Sequence, residues 1–150
     1  MMDIEKIKSE FQFIASTITN ISVKNNFVVL PEYEELKLKM DTEYEIKAIY
    51  FDDGINGVLS LKTLAEAKKG KQKISISITI EGLFTDTNED KEHFISMLKL
   101  NGCATLYSIA RAQIIGLSAQ SLASGQLILP MVNFFKAKEL KDKKKQSEQK

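Results

Sequence analysis

Gly125-Gln126-Leu127-Ile128-Leu129-Pro130-Met131-Val132-Asn133-Phe134-Phe135, GQLILPMVNFF, is almost wholly apolar, is interrupted by a proline and leads into a lysine-rich end. Pro130 has no backbone donor and fixes its own φ, and it biases Leu129 toward extended geometry. Residues 125–129 are therefore expected to cross the domain as an extended link, with a helix starting near Met131 or Val132. Extended backbone sends alternate side chains to opposite sides, so Leu127 and Leu129 point one way and Ile128 the other.

Upstream of the link, residues 103–124 read CATLYSIARAQIIGLSAQSLAS, rich in Ala and Leu and free of proline. Apolar positions recur at three and four, at Leu106, Ile109 or Ala110, Ile114 and Leu117, which predicts one long helix. Between Lys99 and Lys136 the only ionic side chain is Arg111. A helix at the surface of a small monomer carries a charged face, and this one carries none, so it expects cover on most sides. Ser108, Arg111, Gln113, Ser118, Gln120 and Ser121 are too many polar groups for a membrane-spanning helix. A second subunit is the expected cover.

Further upstream the period changes to two. Residues 11–23 (FQFIASTITNISV) alternate with both faces partly apolar, and residues 36–40 and 44–50 repeat the period as one long strand or two in series. The Asp-Gly and Asn-Gly pairs of residues 52–57 predict a tight hairpin into a strand at residues 58–64. Ile74, Ile76, Ile78 and Ile80 alternate with Ser75, Ser77, Thr79 and Glu81 as the clearest strand of the chain. Four strands joined by short polar turns predict an antiparallel meander. Residues 86–92 form an acidic loop with capping residues, residues 94–100 a short helix, and Asn101-Gly102 its break.

Composition sets the frame. The 150 residues, 43% of them hydrophobic, suffice for the core of one domain. The single Cys103 excludes an internal disulfide framework, and the charged N-terminus does not fit a secretory signal, so a reducing cytoplasm is expected. Net charge is +1, yet residues 136–150 hold seven Lys against three acids. The preceding part is thus mildly acidic, about −3. The domain is expected to span residues 1–140, with residues 141–150 a disordered, solubilising Lys-rich tail rather than a nucleic-acid contact.

The strongly amphipathic strands, Gly82-Leu83-Phe84 on the last of them, the helix opening Cys103-Ala104-Thr105-Leu106-Tyr107 with Arg111, and Leu127 to Phe134 together resemble the SecB export-chaperone family over residues 11–140. The most specific element is the last, similar to the family's leucine-rich link ending in proline, valine, asparagine and phenylalanine. The resemblance implies an α+β fold: a four-stranded antiparallel β-meander, a long helix, an extended link and a C-terminal helix. It implies a homotetramer, a dimer of dimers with the long helices between two sheets, and on that assembly Leu106, Ala110, Ile114 and Leu117 are the expected oligomer interface. It also implies an ATP-independent chaperone of protein export and translocation that holds unfolded polypeptide in an apolar groove between the sheet and the link. Candidates for lining it are Phe84, Phe94, Leu98, Leu127, Leu129, Met131 and Phe134, whose flexible or aromatic groups adapt to many partners. Leu127 and Leu129 are expected to border the groove and Ile128 to face the core.

Two departures bear on partners. The family's first strand carries Asp-Ile-Ser-Phe-Glu, an acidic patch that docks the SecA motor, where this chain has Asn20-Ile21-Ser22-Val23-Lys24. Both acids are gone and one position is basic, which disfavours docking there. Glu32, Glu34, Glu35, Asp41, Glu43 and Glu45 offer an acidic surface elsewhere. The basic tail is the second departure, and with it a dedicated chaperone of one client, such as an antitoxin of a toxin–antitoxin module, stays open beside the export role.

No enzyme is expected, and no cofactor or metal. His93 has no metal-spaced partner, and Cys103 has no paired base and reads as a small buried residue. Gly54 and Gly57 precede no helix, so there is no phosphate loop. Asp52, Asp53, Asp86, Glu89 and Asp90 lack the spacing of a calcium loop.

Overall fold

The computed structural model describes residues 1–149, at positions 135 and 138 the backbone alone. The order is α1 (Ile4–Ile7), β1 (Phe11–Asn25), a 3-10 turn (Tyr33–Glu35), β2 (Lys37–Phe51), β3 (Ile55–Lys69), β4 (Gln72–Asp86), α2 (Lys91–Met97), a π turn (Leu98–Gly102), α3 (Cys103–Ser121) and α4 (Phe134–Glu148). The strands are 15 residues each and form one antiparallel sheet. The alternation in the sequence is the cause. Ile74, Ile76, Ile78 and Ile80 fall on one face of β4 and are fully buried, while the Ser and Thr residues between them turn to the other. The pairs Leu59↔Gly82, Leu61↔Ile80 and Ala65↔Ile76 bring the apolar positions of β3 onto the same inner face. The two alternating runs around Met40 and Ile46 are a single strand.

Strand connectivity differs from a plain meander. The order across the sheet is β1-β4-β3-β2, so β2, β3 and β4 meander while β1 lies beyond β4. Hairpin chemistry explains the first part: Asp53 and Gly54 turn at φ 50° and 105°, and Gly70 at φ 59°. The connection from β1 has no such turn. Residues 26–36 form a longer passage than a hairpin permits, and it buries Phe27, whose N–H and C=O both bond the Asn25 side chain (2.8 and 2.9 Å).

The helical layer also differs from expectation in one place. Asn101-Gly102 does not break the chain's helix, because α2 passes through the π turn into α3 with Gly102 in helical geometry (φ −62°, ψ −50°). Gly102 is there for space: a Cβ on it would lie 2.9 Å from Leu59 Cδ2. Gly57 serves the same end from the sheet, where an added Cβ would meet Phe94 Cε1 at 2.7 Å and Leu98 Cδ1 at 3.0 Å. Large groups of one layer thus sit over bare backbone of the other. Phe84 and Phe94 close this end of the core with Phe11, at ring centroids of 5.4 and 5.8 Å from it. At the C-terminus, helix α4 is capped by Asn133, whose Oδ1 accepts from Lys136 N at 3.1 Å, and continues to Glu148. It takes in residues 141–148 of the stretch expected to be disordered, and position 150 lies outside the described residues.

Helix α3 lies on the two central strands through Leu106, Ala110 and Ile114, each fully buried. A helix is roughly 10 Å wide and strands are about 4.8 Å apart, so one helix covers two strands and not four. The inner faces of the edge strands therefore remain partly open. On β1 these are Phe13, Ile18, Ile21 and Val23, and on β2 Leu38, Tyr44 and Phe51, all exposed.

Gly57→Ala is expected to lower stability by about 1–3 kcal/mol through overpacking, read as a lower urea midpoint. Gly70, which has open space around it, should accept Asn with a change under about 0.5 kcal/mol, because Asn tolerates left-handed backbone.

Candidate functional site

The link runs from Leu122 to Asn133 across one flank of α3. Its start is fixed by backbone bonds to the passage between β1 and β2, Ala123 N–H to Val28 O (2.8 Å) and Leu30 N–H to Ser124 O (3.1 Å). Beyond that point side chains take over. Leu127 N–H donates to Ser118 Oγ at 2.7 Å, and Ile128 N–H to Tyr33 Oη at 2.6 Å. Arg111 Nε donates to Leu129 O at 2.6 Å, and Tyr107 Oη to Pro130 O at 2.6 Å. Residues 107, 111 and 118 recur at four and seven, which places all three on one side of α3. The lone charge of the helix is thereby accounted for: Arg111 meets a carbonyl that the Pro130 bend leaves without a ladder partner.

The expected orientation of the link is reversed. Leu127 and Leu129 are buried in the core and Ile128 is exposed. The tethers explain it, since they hold the backbone so that the odd-numbered side chains face the protomer. Phe84, Phe94 and Leu98, expected in the groove, are fully buried. Inner-face position and the bare backbone at Gly57 place them in the core. Of the seven expected lining residues, the structure brings Met131 and Phe134 to an open surface. Met131 is 87% exposed, and Phe134 is half-buried with its ring edge-on to Tyr107 at 5.6 Å.

That surface is a groove along β2. One cavity of about 570 Å³ lies between β2 and α4, lined by Thr42, Glu43, Tyr44, Leu61, Phe134, Ala137 and three lysines, Lys99, Lys141 and Lys145, with Asp142. A second of about 170 Å³ lies between α3 and the link, lined by Ala104, Tyr107, Ser108, Arg111, Met131, Val132 and Phe134. Phe134 borders both. Lys141 Nζ crosses the larger one to Thr42 O at 2.8 Å. The floor is thus apolar and aromatic, and the rim is charged. Tyr44, Tyr107 and the tether at Arg111 were legible in the sequence as residues but not as a site, because nothing in the pattern marks which half of a strand's apolar face a helix leaves bare.

Helix α3 supplies a second open surface. Leu106, Ala110 and Ile114 were expected at a subunit interface, and they are fully buried against the chain's own sheet. Leu117 is half-buried beside them. The face left uncovered is Ala104, Ser108, Ala112 and Ala119, small and without charge, with the half-buried Ile115 among them.

Chemistry on the chain itself is sparse. Cys103 is buried, and burial pushes its thiol up to about 12 against a weaker opposing effect of Lys141. Burial likewise raises the Tyr107 hydroxyl, opposed by Arg111, so it stays a donor to Pro130 O at neutral pH. His93 is exposed on α2. Among the described residues no three His, Cys, Asp or Glu side chains gather as metal ligands, and no helix is long and apolar enough to cross a membrane.

Among solved structures, the chain is similar to the Mycobacterium tuberculosis SecB-like chaperone Rv1957 in complex with a ChAD peptide from the Rv1956 HigA1 antitoxin. The TM-score is 0.58 at 16% sequence identity, over 81% of this chain and 90% of that chain. No protein-family model and no curated sequence matches. The four antiparallel strands, long helix and C-terminal helix are a SecB-like fold.

Leu127→Ala is expected to cost about 2–5 kcal/mol in urea unfolding and Ile128→Ala less than about 0.5 kcal/mol; equal losses would contradict the orientation of the link. Cys103 should resist alkylation at pH 8 until the chain unfolds. A thiol raised in the folded state favours folding below its ordinary range near 9 and loses that contribution as pH climbs toward 12. Unfolding free energy should accordingly fall across that window, and a Cys103→Ala chain should show less of the fall.

Proposed function

We propose that this protein is an ATP-independent chaperone that holds non-native polypeptide, with no catalytic chemistry of its own. The observation that carries the reading is the pair of adjoining cavities beside β2, α3, the link and α4, where Tyr44, Phe134 and Met131 offer apolar and aromatic surface. A monomeric protein seldom leaves such surface open unless something binds it. Met and aromatic side chains suit a site that must accept many sequences, and the lysines on the rim favour acidic client segments. The SecB-like fold supports the same reading, and so does the antitoxin peptide bound by the similar mycobacterial chaperone.

Assembly belongs to this reading. The neutral face of α3 at Ala104, Ser108, Ala112, Ile115 and Ala119 suits the same face of a second copy, because small side chains allow two helices to approach closely. Strand β1 is an edge of 15 residues with one charge, Lys24, and no proline, and a long edge of that kind is a template for pairing with a second chain although register shifts at Phe13/Ala15 and Ile18/Asn20 interrupt it. Two such surfaces on one chain yield a closed tetramer, a dimer of dimers, and several weak grooves on one particle hold a long client by avidity. The protein works in the cytoplasm, where a lone thiol stays reduced.

Two routes remain for the client. Preprotein export would engage SecA, and Asp41, Glu43 and Glu45, which share the outer face of β2, replace the acids absent at Asn20 and Lys24. A single dedicated client, such as an antitoxin, is favoured by that same absence.

The pure protein should suppress aggregation of an unrelated denatured protein without nucleotide. Tyr44→Ser with Met131→Ser should weaken the effect at least ten-fold while helix content and oligomer size persist. Loss of folding without loss of holding would place the groove elsewhere. Ala112→Glu should convert the tetramer to a smaller species by sedimentation, since a charge at a closed helix contact costs several kcal/mol; an unchanged mass would remove α3 from the interface. Tight, salt-insensitive SecA binding would contradict the role given to Asp41, Glu43 and Glu45.

A further inference from the structure

Among the described residues, every hydrogen bond that residues 127–130 make to the rest of the fold comes from a side chain: Ser118, Tyr33, Arg111 and Tyr107. All of these bonds end on backbone N–H or C=O of the link, none on its side chains. Backbone groups are the same in every sequence, so this trough fixes extended geometry without fixing identity. Its only demand on sequence is two apolar side chains two residues apart, met here by Leu127 and Leu129.

We infer that the trough beside α3 is a polypeptide-binding site and that the link is its resident stand-in. An extended client segment takes the place of residues 127–130, presents two successive N–H groups to Ser118 Oγ and Tyr33 Oη, and accepts from Arg111 and Tyr107 at its carbonyls. This rests on the chaperone reading above and names where part of the client is held. The 170 Å³ cavity bordered by Tyr107, Arg111 and Met131 is the opening at which exchange begins.

The anchors at the two ends of the link fit this role. Residues 123 and 124 are bonded to Val28 and Leu30, and Asn133 caps α4, so the span between them leaves the trough without detaching from the fold. A tethered occupant competes at an effective concentration on the order of millimolar. A client segment displaces it only when the rest of the client is already held at the β2 groove. Folded proteins, which offer no extended apolar segment, are refused. A cationic residue at either buried position is refused as well, because the one ionic group of the trough, Arg111, is itself cationic.

Hydrogen exchange on the full chain tests this with reduced, carboxymethylated α-lactalbumin as a permanently unfolded probe. Binding should speed exchange of the Leu127 and Ile128 amides at least ten-fold and leave β3 and β4 protected. Bound probe with those two amides unchanged or slower overturns the inference and leaves the chaperone reading standing; failure to bind the probe overturns both. In a second arm, a synthetic peptide of residues 125–132 should bind a Leu129→Ala chain at least ten-fold more tightly than the unmodified chain. Equal binding by the two, with the variant folded, also overturns it.

Discussion

One helix lies on a four-stranded sheet, and it is too narrow to cover it. Strands of 15 residues extend roughly 50 Å and α3, with 19 residues, about 28 Å. The close seating of the layers is secured at the centre, where Leu106 lies over Gly82 and Phe94 over Gly57. That contact leaves nothing for the edges. The inner faces of β1 and β2 keep Ile18, Ile21, Leu38 and Tyr44 half in water, and the two open edges of the sheet are the two sides of this shortfall. The groove is the β2 side, partly roofed by the link and α4. The β1 side is an open strand edge with a single charge, Lys24.

The link shows how the fold manages the shortfall on one flank without a second helix. An extended segment has too little surface to hold itself in place by packing, and residues 127–130 lack a neighbouring strand. Arg111, Tyr107 and Ser118 meet its backbone groups from α3, and Tyr33 from the passage between β1 and β2. Bonds from a charged donor are the stronger ones, so Arg111 is the principal tether. A charge in an otherwise neutral helix is affordable because the carbonyl it meets would itself be unpaired.

Much of this was legible in the sequence. The isoleucine alternation at residues 74–80 marked a central strand, and the proline at position 130 marked an extended link, although the helix after it begins at Phe134 rather than near Met131 or Val132, because Asn133 supplies the cap. Four things were not legible. The edge on which β1 pairs depends on residues 26–36, which hold Asn26 and Pro31 but no hairpin dipeptide and no period. Asn101-Gly102 reads as a helix stop by composition, yet its glycine answers to Leu59 across the layer, a contact 43 positions away in the chain. The facing of Leu127, Ile128 and Leu129 follows from hydrogen bonds to distant side chains, and an alternating segment alone does not say which of its two sides is inner. Arg111 stood out as the lone charge of its helix, but its partner is a backbone carbonyl, which leaves no mark in a sequence.

The far-side placement of β1 has a consequence during synthesis. β1 is translated first, but its partner is β4, with Asn25 opposite Ile74 and Phe11 opposite Asp86. At ribosomal rates the first strand waits several seconds for the residues it will pair with. In that interval FQFIASTITNISVKN is an emerged segment with a single charge and a strong strand tendency, the kind that sticks to its like on neighbouring nascent chains. The strand that comes first in the sequence is thus the last of the four to find its partner.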